Sequence, residues 1–291
     1  MTGARLWAQG ARPKTLGASV SPVLVGTSVA SRYGEVIWWR AGLALVVAVA
    51  LQVGVNYAND YSDGVKGVDT AARRGPVRLT ASGLAAPASV KRAAFVSLAV
   101  AAVAGIVLAL AVDWRLIAVG AACVLAAALY SGGPKPYASA GLGEVTVLIF
   151  FGFVATCGSA YVHLERVPGL AVTGAVPVGL AACAILLANN LRDVGTDAAA
   201  GKRTLAVRIG AHKARRLYVA CMAVAALMPA PLALAAPGAL LGLVAAPLAW
   251  KPVRTVNDPA ATPPALVGAL IGTARFQLVL AALVAVGMWD W

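Results

Sequence analysis

The sequence predicts an all-α, polytopic membrane protein, and three observations carry that prediction. Of its 291 residues 60% are hydrophobic and only 12% charged, where a soluble domain carries roughly 25% charged residues. Mean hydropathy is +0.82. The apolar residues also gather into separate runs, bounded by charge or by Gly and Pro, that are long enough to cross a hydrocarbon core of about 30 Å. Together these exclude an ordinary soluble enzyme and an intrinsically disordered chain. The net charge of +13, from 24 basic and 11 acidic residues, would suggest nucleic acid in a soluble protein. In a membrane protein it first poses a question of sidedness.

Taken in order, the first run, 15–31, is rich in Gly, Ser and Pro. The second, 37–59, ends at Asn59-Asp60, and the third, 91–112, begins at Lys91-Arg92. The fourth, 115–131, stops before Gly132-Gly133-Pro134, and the fifth and sixth cover 141–163 and 170–190. The seventh, 213–236, leaves a basic segment; the eighth, 238–250, is short; the ninth is 272–289. This gives about nine spans, with eight the alternative. They make one domain over 1–291, with a four-helix pseudo-repeat over 15–131 and 141–250 followed by a last helix.

Nine spans place all but four of the 24 Lys and Arg residues on one side; only Arg32, Arg40, Arg115 and Arg166 fall on the other. The positive-inside rule then puts the N-terminus in the cytoplasm of a cell-membrane protein, and Trp289 and Trp291 at the outer interface. The first run is span-length and no small-residue cleavage site follows it, so no secretory leader is expected. Cys123, Cys157, Cys183 and Cys221 lie singly in apolar runs, as small hydrophobes do, and His163 and His212 form no constellation.

In a chain so poor in acids, their positions are informative. Five of the 11 fall in two clusters on the basic side: Asp60, Asp63 and Asp69 after the second span, Asp193 and Asp197 after the sixth. Asn59 and Asp63 are four apart, as are Asn189, Asp193 and Asp197, so helices continuing past their apolar runs would stack these oxygens on one face. Like charges at that spacing repel and carboxylates near a membrane are costly, which calls for a compensating cation. Mg²⁺ fits: it takes one or two carboxylates and completes its shell with water and phosphate oxygens. Two facing clusters, with Asp63 and Asp193 130 residues apart, would hold two ions around one anion, Mg²⁺ with Mn²⁺ as the alternative. Solvated helix ends held by arginines explain either cluster alone, but not the matched pair.

Basic residues on the same side complete the site. Arg78, Lys135, Arg192, Lys202 and Arg203 offer donors to a diphosphate bridged by Mg²⁺. The turn Gly132-Gly133-Pro134-Lys135-Pro136-Tyr137 fixes a lysine and a tyrosine at the mouth of the fourth and fifth spans. It is no Walker loop, because Gly-x-x-x-x-Gly-Lys-Ser/Thr does not occur.

These blocks resemble the UbiA superfamily of membrane prenyltransferases, whose two aspartate-rich motifs close the second and sixth of about nine helices. More narrowly the chain resembles the naphthoate branch of menaquinone biosynthesis, of an actinobacterial type. That likeness rests on Ala11-Arg12-Pro13-Lys14-Thr15-Leu16, Asn56 to Asp69, Gly75-Pro76-Val77-Arg78-Leu79, Tyr130 to Tyr137, Gly141-Leu142-Gly143-Glu144 and Asn189 to Gly210, in order over most of the chain. The first motif departs from the superfamily's spacing, since Gly67 stands at its last position and the next acid is Asp69.

The resemblance implies a UbiA-type bundle with an active-site cap on the cytoplasmic side. It implies transfer of a polyprenyl group from its diphosphate to 1,4-dihydroxy-2-naphthoate, with loss of CO₂ and diphosphate. Asp60, Asp63, Asp193 and Asp197 would hold Mg²⁺, with Asn59, Asn189 and Asp69 as further ligands. Arg78, Lys135, Arg192, Lys202 and Arg203 would stabilise the departing diphosphate, Arg12 would pair with the naphthoate carboxylate, and Asn56, Tyr130 and Tyr137 would orient ring or phosphate. The lipid bilayer is the remaining partner, nucleic acid is excluded, and oligomeric state stays open. Another aromatic acceptor, such as 4-hydroxybenzoate or homogentisate, is the alternative within the class. A cation-coupled transporter is the alternative outside it, although transporter sites lie near the bilayer midplane and these acids lie at span ends.

Overall fold

The computed structural model describes residues 3–67, 78–133 and 136–290, and among them there is no strand. Ten principal helices follow one another: α1 (Gly3–Ala11), α2 (Gly17–Tyr33), α3 (Trp38–Val65), α4 (Pro87–Ala111) and α5 (Leu116–Ser131), then α6 (Gly143–Leu164), α7 (Gly169–Ala199) and α8 (Ala211–Leu232), then α9 (Pro247–Asn257) and α10 (Pro263–Met288). Each apolar run falls on a helical segment. Six helices (α3, α4, α6, α7, α8 and α10) are long and apolar enough to cross a membrane, and the 16 residues of α5 form a shorter apolar helix.

Two boundaries differ from the sequence reading. The eighth run is not one helix: a 3₁₀ segment, Pro237–Ala245, gives way to α9 at Pro247. Proline lacks the amide proton an α-helix interior needs, and Pro237, Pro247 and Pro252 punctuate this stretch. The last helix begins nine residues before the predicted 272, because Pro263 occupies its first turn, where a missing N–H costs nothing.

The helices that carry the acids run past their apolar stretches. α3 has 28 residues and α7 has 31, or about 42 and 47 Å at 1.5 Å per residue. Both are therefore longer than a crossing of a hydrocarbon core of about 30 Å requires, and the acids stand in their last turns. The core lies where α7 packs against α2, α8 and α10, and it is built largely of alanine with Leu187, Tyr218, Met222 and Phe276. In lipid, helix contact relies on close packing and on polar cross-links. Here Gln277 Nε2 donates to the Val178 carbonyl at 2.8 Å and Tyr218 Oη bonds Thr273 Oγ1 at 2.6 Å.

α6 crosses α7 at a pair of glycines. A Cβ on Gly179 would stand 2.9 Å from Gly152 Cα and 2.7 Å from Leu148 Cδ1. Gly152 lies in a π-helical turn, Leu148–Val154, which also presents Phe150 and Phe151 to the interior cavity. Gly179→Val must force the two helices apart, and it is expected to destabilise the protein by about 1–3 kcal/mol. Thermal unfolding in detergent measures this as a lowered Tm.

The opposite end of the bundle is fastened by Arg40, which donates to Val162 O at 2.8 Å and Ala111 O at 3.2 Å, capping carbonyls at the ends of α6 and α4. Trp38 stacks on Trp289, with ring centroids 5.6 Å apart. Between α4 and α5, Asp113 accepts from Tyr161 Oη at 2.5 Å and Arg115 N at 2.9 Å. These bonds, Tyr161 foremost, hold its carboxyl below the usual range. A carboxyl depressed in the folded state stabilises above its unfolded pKa, and that contribution vanishes as pH falls through the folded value. Asp113→Asn should therefore lower Tm at neutral pH, and the difference from the parent protein should shrink as the pH falls below the usual carboxylate range.

Candidate active site

A cavity of 1220 Å³ opens between α2, α3, α5, α6 and α7. Its walls change character along the helices: Val47 and Leu51 of α3 and Ile185 of α7 give way to Asn59, Asp63, Asp193 and Asp197 near the helix ends. One end of the cavity is thus polar and the other apolar, as an amphiphile with a charged head requires.

On α3, helical spacing turns Asn56, Asn59 and Asp63 to the cavity. Asn56 Nδ2 donates to Ala11 O at 2.9 Å, so its role includes tying α1 to α3. Asn59 Oδ1 is buried without a hydrogen-bond partner. Asp63 Oδ2 faces Lys202 Nζ at 3.3 Å. Asp60 points elsewhere: its two carboxylate oxygens accept from Leu79 N at 2.8 Å and Thr80 N at 2.9 Å, and it does not line the cavity. Asp60→Ala is expected to cost about 1–3 kcal/mol, the penalty for stranding buried amides. Its Mg²⁺ dependence should stay as in the parent protein, and a metal titration of activity checks this.

On α7, Asn189, Asn190, Arg192, Asp193 and Asp197 line the cavity. Arg192 Nε donates to Asp193 Oδ1 at 2.8 Å, and Nη2 reaches both Asp193 Oδ2 and Asn189 Oδ1. The Arg192 side chain is 2% exposed, so it clamps the carboxylate inside the protein. Gly201, at φ +72°, ends the helix and turns Lys202 back toward Asp63, while Lys202 N donates to Asp197 O at 2.8 Å.

Arg78 is buried and lines the cavity, as does Arg12, whose backbone takes a left-handed φ of 57°. That conformation is disfavoured for an L-residue, and such strain gathers at functional sites. Tyr130 and Tyr137 meet edge to face at 5.5 Å. Tyr137 Oη donates to Ala126 O at 2.7 Å, and burial pushes its hydroxyl pKa up to about 12. It stays neutral at physiological pH and anchors the turn. The Arg203 side chain is exposed and off the cavity wall. Lys135 and Asp69 lie outside the described residues.

Several wall residues were not singled out from sequence. Gln52 sits one turn before Asn56, and extending the Asn56-Asn59-Asp63 face backwards finds it; its Nε2 donates to Thr15 O at 2.9 Å and its Oε1 accepts from Ser19 Oγ. Asn190, beside the motif's Asn189, also faces inward. Ser19 carried no signal, being one small residue among many in the first run.

The donors suit a hard divalent cation. Asn59 Oδ1 awaits a partner in a buried position, and the carboxylates of Asp63, Asp193 and Asp197 share its cavity. Among the described residues no three acids converge on one point, so a cation here takes further oxygens from phosphate and water, the usual habit of Mg²⁺.

Residues 19–265 match the model of the UbiA prenyltransferase family. The chain belongs to that family. Two curated relatives are each a 1,4-dihydroxy-2-naphthoate octaprenyltransferase. The protein from Mycobacterium tuberculosis is 52% identical over 252 residues, 86% of each chain. That from Escherichia coli is 34% identical over 304 residues, 97% of this chain and 96% of its own. Among solved structures, a UbiA homologue from Archaeoglobus fulgidus bound to GPP and Mg²⁺ superposes with a TM-score of 0.67 over 96% of this chain and 99% of its own, at 14% identity. A UbiA homologue from Aeropyrum pernix K1, solved in the apo form, gives 0.67 over 95% and 97%, at 16% identity. The UbiA fold therefore holds with little sequence in common.

Proposed function

We propose that this UbiA-family chain transfers a polyprenyl group from polyprenyl diphosphate to 1,4-dihydroxy-2-naphthoate, releasing CO₂ and diphosphate and giving the prenylated naphthoquinol, the reduced form of a demethylmenaquinone. The observation that carries the reading is the cavity, whose polar end joins two oxygen-rich helix ends and whose other end is apolar. The curated relatives support the choice of acceptor.

Asn59, Asp63, Asn189, Asp193 and Asp197 would hold divalent metal, two ions of Mg²⁺ or in its place Mn²⁺. When bound, the metal neutralises charge on the departing diphosphate. Lys202, Arg192 and Arg78 offer donors to the same oxygens, Lys202 and Arg192 exchanging their carboxylate partners for phosphate. The allylic C–O bond breaks, and apolar walls such as Phe150 and Val154 keep water from the cation. The electron-rich ring then attacks, with Arg12 placed to fork the naphthoate carboxylate.

A bilayer setting follows from the tail, since each buried CH₂ adds about 0.8 kcal/mol of partitioning. The chain works as one domain of the cell membrane, with its N-terminus and the polar end of the cavity on the cytoplasmic side. A competition assay on protein in nanodiscs tests the acceptor: offered equal dihydroxynaphthoate, 4-hydroxybenzoate and homogentisate, the protein should prenylate the naphthoate with at least about tenfold preference. Equal labelling of another acid would overturn the assignment.

A further inference from the structure

Glu144 has no part in the scheme above. It lies in the first turn of α6, 5% exposed, in a chain with 11 acidic residues. A carboxylate buried among membrane-spanning helices is costly and marks function more often than packing. Glu144 Oε1 accepts from Asn190 Nδ2 at 2.8 Å, and Oε2 is buried with no hydrogen-bond partner.

Only the nitrogen of a side-chain amide can donate to a carboxylate, so this contact decides how Asn190 is turned: Nδ2 toward α6 and Oδ1 away from it. Asn190 lines the cavity, and its Oδ1 is not among the sealed, unpartnered atoms. Its neighbour Asn189 differs, because Arg192 occupies that oxygen. Asn190 stands three residues before Asp193, on the same face of α7 and about 4.5 Å deeper. That is one ring's reach below the carboxylate that marks the diphosphate end. Tyr130 closes the same wall, its Oη 3.7 Å from where a Cβ on Gly143 would lie. The Gly152–Gly179 crossing fixes the spacing of α6 and α7 that the contact needs.

We propose that Glu144 is a positioning residue that holds the Asn190 amide so that its carbonyl oxygen accepts a hydrogen bond from a ring hydroxyl of the aromatic acceptor. The inference rests on the acceptor reading above and adds the residue pair that selects it. A wall built to pair with a hydroxyl discriminates against an analogue that cannot donate, because the buried carbonyl is then left unpaired.

The test compares dihydroxynaphthoate with its mono-methyl ethers in purified protein reconstituted into nanodiscs. The parent protein should prefer the free dihydroxy acid to one of the ethers by about tenfold or more in kcat/KM. In Asn190→Leu and Glu144→Leu that preference should collapse to about twofold or less, with KM rising for the acceptor and not for the prenyl diphosphate. Glu144→Gln, whose amide oxygen still accepts from Asn190, should restore preference relative to Glu144→Leu. Should Glu144→Leu fail to accumulate, Asn190→Ala removes only a wall amide and carries the same comparison. Preference unchanged in the Asn190 variants, or KM rising equally for both substrates, would overturn the proposal while leaving the acceptor reading intact. A parent protein that does not prenylate dihydroxynaphthoate at all overturns both.

Discussion

Asp193→Ala and Asp63→Ala are each expected to lower turnover by about a hundredfold or more, equivalent to a loss of about 2.7 kcal/mol of transition-state stabilisation. The two carboxylates face one cavity from different helices, each neutralised by a cation: Arg192 on Asp193 and Lys202 on Asp63. Removing either leaves that cation unpaired and takes an oxygen from the place where diphosphate charge develops. The effect should fall on kcat and on the metal concentration for half-activity. Asp60, three residues before Asp63, provides the internal contrast, because its carboxylate is committed to Leu79 N and Thr80 N. Steady-state kinetics beside thermal unfolding would separate the two: Asp63→Ala should lose rate with its fold retained, whereas Asp60→Ala should lose stability first. Near-parental rates in both Asp63→Ala and Asp193→Ala would contradict the site.

Chelation should have a still larger effect. With EDTA in excess, turnover is expected to fall to background and to return on adding Mg²⁺, with Mn²⁺ substituting. The physical reason lies in the donors. Asn59 Oδ1 is buried and unpartnered, and the acids around it bring negative charge to a chamber that must also take a diphosphate. Lys202, Arg192 and Arg78 match the three lining acids in number, but Lys202 and Arg192 are already paired with carboxylates. Without a divalent cation the anion must displace Lys202 and Arg192 from their carboxylates and then meets those bare carboxylates at close range. Titrating metal back against the rate reads this directly.

Much of this was legible in the sequence, for identifiable reasons. Apolar runs of span length report helices because in lipid a single segment satisfies its own backbone only as a helix. The Asn59–Asp63 and Asn189–Asp193–Asp197 spacings report one cavity face because the helices continue past their apolar runs, as α3 to Val65 and α7 to Ala199 do. Spacing could not show that Asp60 turns to Leu79 and Thr80, since those partners stand 19 and 20 residues further along the chain. Nor could it show that Arg203 lies exposed while its neighbour Lys202 turns inward, which follows from the turn at Gly201. The split of the eighth run into a 3₁₀ segment and α9 was hidden because hydropathy does not register hydrogen-bond pattern. Glu144 stood in a recognisable block, yet its partner Asn190 is 46 residues away on another helix.

One cavity is expected to join metal-assisted loss of diphosphate to prenylation of a naphthoate with loss of its carboxylate. Purified protein in nanodiscs, given a polyprenyl diphosphate, Mg²⁺ and carboxyl-labelled 1,4-dihydroxy-2-naphthoate, tests it in one vessel. Labelled CO₂ and unlabelled prenylated naphthoquinol should appear together, one for one, and neither should form with EDTA present. Prenylated product that keeps its label, or turnover that survives removal of the metal, would contradict it.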